Sequence, residues 1–157
     1  MAPEGREHYR VRSFRPADQA AAQCLVMDGL RGHFGWLDPA LNPDLTDIAV
    51  SYEARGHVFL VAETGGAVIG TGALLAGDRE GQIVRVSVDA AHRRKGVAHA
   101  VVAGLFAEAE ARGMVSVWME TNEDWLDAIG FYRAEGFRPF DHREGCIFMR
   151  REVSPQP

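Results

Sequence analysis

Apolar and polar residues alternate from His8 to Phe14, with Tyr9, Val11 and Ser13 on one side and Arg10, Arg12 and Phe14 on the other. That period of two predicts a first strand. Pro16 stands where a helix can begin. Behind it Ala20, Cys24, Met27 and Leu30 recur at helical spacing. Gly32, Gly35, Pro39 and Pro43 mark 31–43 as a loop. A short second helix is expected over 44–54, with Leu45, Ile48 and Tyr52 inward. A meander of three antiparallel strands follows over 57–63, 67–76 and 82–88, because the turns at Thr64-Gly65-Gly66 and 77–81 are too short for crossovers.

The clearest helix covers 96–112, with Val97, Val101, Leu105 and Ala109 on one face and Gly113 as its stop. The strand expected at 115–121 follows a crossover, so it should lie parallel to its predecessor. A further helix over 123–135 ends at Gly136, and a hairpin of 137–142 with 146–152 turns at Glu144-Gly145. The pattern is α+β, a mixed sheet with helices on both faces.

The chain has 157 residues, which suits one domain. That domain is expected over 8–153, with flexible ends at 1–7 and 154–157. Met1 to Glu7 lack the apolar run of a signal peptide, and no apolar stretch is long enough to span a bilayer. A net charge of -5 disfavours generic attraction to nucleic acid or an anionic membrane. Cys24 and Cys146 form no metal or redox motif and read as buried small hydrophobes, which fits a reducing cytoplasm. The six histidines show no ligand spacing, so no metal is expected.

Chemistry concentrates in Val86 to Ala98, V-S-V-D-A-A-H-R-R-K-G-V-A. A β-branched strand runs through a loop with three consecutive cations, Arg93, Arg94 and Lys95, into a helix at Gly96, Val97 and Ala98. A helix start offers unpaired N–H groups and a positive dipole end. Gly96 permits close backbone approach. Together these make a diphosphate site, although three cations alone read first as a solvated basic turn. Neither a Walker A loop nor a dinucleotide fingerprint is present.

The spelling Arg93-Arg94-Lys95-Gly96-Val97-Ala98 resembles the R/Q-x-x-G-x-G/A signature of the GNAT superfamily of N-acetyltransferases. Val86-Ser87-Val88 resembles the end of their fourth strand. Ala128-Ile129-Gly130-Phe131-Tyr132-Arg133-Ala134-Glu135-Gly136-Phe137 resembles their A-x-x-F-Y-x-x-x-G-F segment. The likeness covers nearly the whole chain. His33-Phe34-Gly35, Asn42-Pro43 and Asp44-Leu45 are similar to a bacterial subgroup of small acetyltransferases. One departure is Trp125, which stands where many members carry Asn. Asn122 is the nearby substitute.

The resemblance implies a sheet of six to seven strands, splayed between the fourth and fifth, with about four helices on its two faces. It implies acetyl-CoA as cofactor, bound by Val86, Ser87, Val88, Arg93, Arg94, Lys95, Gly96, Val97, Ala98, Asn122 and Tyr132. It implies acetyl transfer to a primary amine by direct attack through a tetrahedral intermediate. A bulge near Ser87 would aim the Val88 N–H at the acyl oxygen, and Tyr132 would protonate the leaving thiolate. The family's usual base position falls near Gln82, which cannot serve. Glu80 and Glu120 are the nearby carboxylates, and a water chain serves equally. His33, Phe34, Trp36 and Tyr52 are expected to line the acceptor pocket as an aromatic wall for an ammonium, with His33 a further candidate base and Phe34 and Trp36 equally readable as core caps. The expected acceptor is a small-molecule amine, and a homodimer is left open. A protein or peptide acceptor, or a non-catalytic acyl-CoA sensor, is the alternative.

Overall fold

The computed structural model describes residues 8–35 and 42–153, so the two ends expected to be flexible, and Trp36, lie outside the described residues. The strands are β1 (Arg10–Ser13), β2 (Val58–Thr64), β3 (Ala67–Ala76), β4 (Glu80–Val88), β5 (Ser116–Asn122), β6 (Arg138–Arg143) and β7 (Cys146–Glu152). They form one sheet in the order β1-β2-β3-β4-β5-β7-β6. Every neighbouring pair is antiparallel except β4 and β5. The helices are α1 (Gln19–Phe34), α2 (Ile48–Ser51), α3 (Val97–Ala111) and α4 (Leu126–Ala134).

Two apolar cores lie on opposite faces of the sheet. Phe59 and Val61 of β2 pack with Val26 of α1 and with Leu45, Ile48 and Tyr52. Leu60 and Ala62, the alternate residues of the same strand, pack with Val97, Val101 and Leu105 of α3. A strand covered on both faces reads as a continuous apolar run, which is how Val58 to Ala62 is spelled. α3 rides close to β3 because Gly70 and Gly72 present no side chains. A Cβ at Gly70 would lie 2.7 Å from a Val97 methyl, and one at Gly72 2.5 Å from a Val101 methyl. Pro139 is tolerated because β6 is an edge strand.

Several boundaries differ from expectation. α1 continues to Phe34 and stops at Gly35, whose φ of 85° ends the helix, so 31–34, expected as loop, belong to the helix. Its inward face is Ala22, Val26 and Met27. Ala20 and Cys24 lie on the opposite side, and the Cys24 thiol is exposed and directed at Asp28. The expectation of a buried Cys24 is therefore wrong, because Ala22 and Val26 supply a better apolar stripe. Cys146 is half-buried against Asn122. The helix expected over 44–54 is three pieces. Asp47 takes an extended backbone and its carboxylate accepts the Val50 N–H at 3.2 Å, capping α2 and separating it from the turn at Pro43–Leu45. β4 begins at Glu80, two residues earlier than expected, and α4 at Leu126, three residues later.

Candidate active site

β4 and β5 pair only where Glu80, Gly81 and Gln82 face Ser116, Val117 and Trp118. Beyond Gln82 the strands part, and a cleft of about 1010 Å³ opens between them. Its walls come from Gln82 to Val88 of β4, Met119 to Thr121 of β5, Trp125 at the start of α4 and Tyr132 in its last turn, and Val26, Leu30, Asp44 and Tyr52 from the other face.

A bulge shapes the β4 wall. Thr71 pairs with Ser87 but Ala73 pairs with Val84, so β4 carries one extra residue opposite Gly72. Arg85 takes a left-handed φ of 57° there. The Arg85 carbonyl, displaced from the ladder, accepts the fully buried Thr71 hydroxyl at 2.8 Å. The bulge thus lies at Arg85 and Val86, slightly ahead of the expected Ser87. The Asp89 N–H donates to Ile69 O at 2.9 Å. Bonded and non-bonded pairs alternate along an antiparallel ladder. Val88, opposite Gly70, therefore turns its N–H and C=O away from β3, toward the side that β5 has left.

The loop after β4 folds on Asp89, whose carboxylate lies 2.7 Å from His92 Nδ1. Arg93 lines the cleft, and its Nε donates to Val88 O at 3.2 Å. Arg94 takes a left-handed φ of 61°, and Lys95 O accepts the Tyr9 hydroxyl at 3.4 Å. Gly96, with φ of 82°, is the N-cap of α3. No side chain caps this helix and no acidic residue lies in its first turn, so the N–H groups of Val97, Ala98 and His99 stay open to an external anion. Ala98 lines the cleft. An uncapped helix start beside an arginine, at the mouth of a deep cleft, is the donor set a CoA diphosphate and pantetheine arm require.

Tyr132 reaches the cleft from α4. Its ring is wedged edge-on between Phe131 at 5.0 Å and Phe137 at 5.3 Å, and its hydroxyl makes no hydrogen bond among the described residues. Burial, with the charge of Glu135, holds that hydroxyl well above the ordinary tyrosine range. It is therefore a protonated donor at any physiological pH. Glu120 is exposed and lines the opposite wall. Glu80 lies outside the cleft. It accepts the Ser116 hydroxyl at 3.0 Å and sits 3.4 Å from Arg150 Nε, so the structure gives it a tethering role. Asn122 also lies outside the cleft, facing Cys146.

Trp125, the residue that departs from the family pattern, is a wall of the cleft. His33 stacks on it at 4.1 Å with rings 10° from parallel, and Phe34 meets it edge-on at 6.3 Å. His33 Nε2 also lies 3.7 Å from Asp124. His33 and Phe34 thus buttress Trp125 at the rim and do not line the cavity. Tyr52 lines it, but as a hydrogen-bonding group: its hydroxyl donates to Asp44 Oδ2 at 2.5 Å.

Sequence reasoning passed over three residues of this cavity. Arg85 pairs with Asp44 through Nε to Oδ2 at 3.0 Å and Nη2 to Oδ1 at 2.7 Å. Burial works to raise the Asp44 carboxyl, but the bonds from Arg85 and Tyr52 win and hold it below its usual range. His57 also lines the cleft, its Nδ1 accepting the Ala76 N–H at 2.9 Å. The one signal for Arg85 was a charge set inside the β-branched run Ile83 to Val88.

Among the described residues no three His, Cys, Asp or Glu side chains gather as a metal site, and no helix is long and apolar enough to cross a membrane. The Acetyltransferase (GNAT) family model matches residues 25–137. The chain is 33% identical over 122 residues to human N-acetyltransferase 8, spanning 73% of this chain and 54% of that protein. It is 38% identical over 104 residues to mouse probable N-acetyltransferase family 8 member 5, spanning 62% and 46%. The chain therefore spans about half the length of these mammalian relatives. In fold it is similar to the PaiA N-acetyltransferase of Thermoplasma acidophilum, solved in complex with coenzyme A, with a TM-score of 0.83 at 12% identity over 92% of this chain and 99% of that one. A GNAT-family acetyltransferase from Staphylococcus aureus Mu50 gives a TM-score of 0.85 at 16% identity over 94% and 100%. With the splayed sheet, the open helix start and the matched family segment together, the chain belongs to the acetyltransferase (GNAT) family, whose enzymes are acetyl-CoA-dependent acyltransferases.

Proposed function

We propose that this protein transfers an acetyl group from acetyl-CoA to the primary amine of a small molecule. One observation carries the reading: the Tyr132 hydroxyl, the outward N–H of Val88 and the open start of α3 all address one cleft. When bound, acetyl-CoA supplies an acyl group activated as a thioester.

The N–H groups of Val97, Ala98 and His99, with Arg93, hold a diphosphate through the helix dipole and a charge-assisted contact. Arg94 and Lys95 flank them. Val86 and Ser87 offer β4 backbone along the cleft. Val88 N–H donates to the acyl oxygen as negative charge develops there. An alkyl ammonium, with an ordinary pKa of about 10.4, must lose a proton before attack. Glu120 Oε accepts that proton, directly or through water. Tyr132 Oη gives its own proton to the departing sulfur. Glu80 and Asn122 stand outside this machinery.

A small acceptor is favoured because bulky side chains, Val26, Leu30, Tyr52 and Trp125, line the cleft. Incubation of pure protein with acetyl-CoA and a panel of amines and peptides, following free thiol, tests the reading. Amine-dependent thiol release with small amines is expected. Release only with peptides would move the acceptor to protein N-termini or lysines. Tight acetyl-CoA binding with no release above background would make the chain a sensor.

A further inference from the structure

Resting on the acetyl-transfer reading, we infer that Arg85 recognises a carboxylate on the acceptor, so that the preferred substrates are amino acids with an apolar side chain. Arg85 is held in the cleft by backbone geometry that its own side chain does nothing to favour. A left-handed φ is costly for a residue with a Cβ and inexpensive for glycine or asparagine. The strain at φ 57° sets the Cα–Cβ bond of Arg85 out of the normal pleat, toward Asp44 on the α1 and α2 side of the sheet.

Asp44 anchors the guanidinium along one edge, and the Tyr52 hydroxyl interacts with it beside that carboxylate. Nε and Nη2 are fixed by the two oxygens of Asp44, and Asp44 is itself fixed by the Tyr52 hydroxyl. Nη1 makes no hydrogen bond among the described residues. A guanidinium has five N–H donors in a rigid plane, so the edge carrying Nη1 is presented already oriented. The Arg85 side chain is 20% exposed and lines the cavity. A second cation, Arg55, also lines the cleft. Around them Val26, Leu30, Leu75 and Val84 give an apolar wall. Glu120, the carboxylate that takes the amine's proton, is on the other strand. A zwitterion carrying an apolar side chain matches this division: carboxylate toward Arg85, ammonium toward Glu120, side chain against the apolar wall.

The matched probes are L-leucine, L-leucinamide and 3-methylbutylamine, each assayed at the plateau of its own pH profile so that the fraction of free amine cancels. With wild-type protein, kcat/KM for leucine should exceed that for either neutral analogue at least about tenfold, the discrimination of one hydrogen bond to a charged group. Arg85→Gln should erase that difference, and Arg85→Lys should restore only part of it, because a lysine cannot present a planar edge. An equilibrium readout is independent of turnover. N-acetyl-L-leucine should bind the CoA-loaded wild type at least about tenfold more tightly than N-acetyl-L-leucinamide, and Arg85→Gln should bind the two equally. A wild type that prefers 3-methylbutylamine, or an Arg85→Gln protein that keeps the preference for the carboxylate, would overturn the inference. Should Arg85→Gln fold poorly, the two wild-type comparisons alone decide it. Failure of the acetyl-transfer reading is distinct: no amine of any kind would release thiol, although the acetylated ligands could still be compared by binding.

Discussion

Removing one oxygen atom separates chemistry from packing at the centre of this site. Tyr132→Phe keeps the ring between Phe131 and Phe137, whose edge-on contacts at 5.0 and 5.3 Å do not involve the hydroxyl. Because that hydroxyl has no hydrogen-bond partner among the described residues, its loss leaves no buried group unsatisfied. Stability should change by less than about 1 kcal/mol. General acid catalysis typically contributes 10²- to 10⁴-fold, and water can partly replace a donor at the mouth of an open cleft. A fall in kcat of about 10²-fold is therefore expected, close to 2.7 kcal/mol of transition-state stabilisation. It should appear in kcat and leave the affinity for acetyl-CoA within about twofold, since the thiolate develops only late in the reaction. Single-turnover thiol release, beside a calorimetric titration of acetyl-CoA, makes the measurement. Burial raises the Tyr132 hydroxyl above its ordinary value, so the wild-type rate should climb as the amine deprotonates and show no falling limb from Tyr132 up to about pH 10. A Tyr132→Phe enzyme with wild-type kcat while chemistry limits the rate would refute the acid role. So would a loss accounted for entirely by weaker cofactor binding.

At the start of α3, Gly96→Asp places a negative charge at the anion site, in a left-handed position that aspartate tolerates. Cofactor affinity should fall at least about tenfold with an unchanged circular dichroism spectrum. Arg12 is held bidentately by Asp18 at 2.8 and 2.9 Å and also meets Glu63. The hydrogen bonds from Arg12 lower the Asp18 carboxyl despite its burial. A depressed folded value means this stabilisation is complete above the unfolded carboxylate range, about pH 4, and is lost as pH falls through the folded value. Asp18→Asn should cost about 1–3 kcal/mol at neutral pH in urea melts and flatten the acid dependence. Gly72→Val puts a branched side chain where a Cβ alone would lie 2.5 Å from Val101, so α3 must shift outward. A stability loss of about 1–3 kcal/mol by thermal melting is expected.

The sheet and the helix start proposed to hold the cofactor were legible because their signals are local. The apolar, β-branched runs of β2 to β4 between turn signals, the apolar face of α3 and the run Arg93 to Ala98 each state their own structure. The acceptor end was not, because it is built by long-range approach. Arg85 meets Asp44 across 41 residues, and nothing in a strand pattern announces a bulge whose extra residue turns a side chain toward another element. Trp125 reads as an isolated aromatic until α1 is seen to extend to Phe34 and bring His33 against it. That extension was hidden by Gly32, a breaker signal that the helix absorbs. Glu80 and Glu120 were equivalent on paper. The pairing of Glu80 with Ser116 at the closed end of the β4–β5 junction separates them.

Calorimetric titration of acetyl-CoA into the purified protein tests the central claim most directly. One molecule should bind per chain with micromolar affinity, and about 1 mM ligand should raise the melting temperature by mass action, worth about 2.7 kcal/mol at a hundredfold excess over Kd. An absence of heat and of any thermal shift, with both acetyl-CoA and CoA, would contradict the assignment of the splayed cleft and the open start of α3 as a coenzyme site.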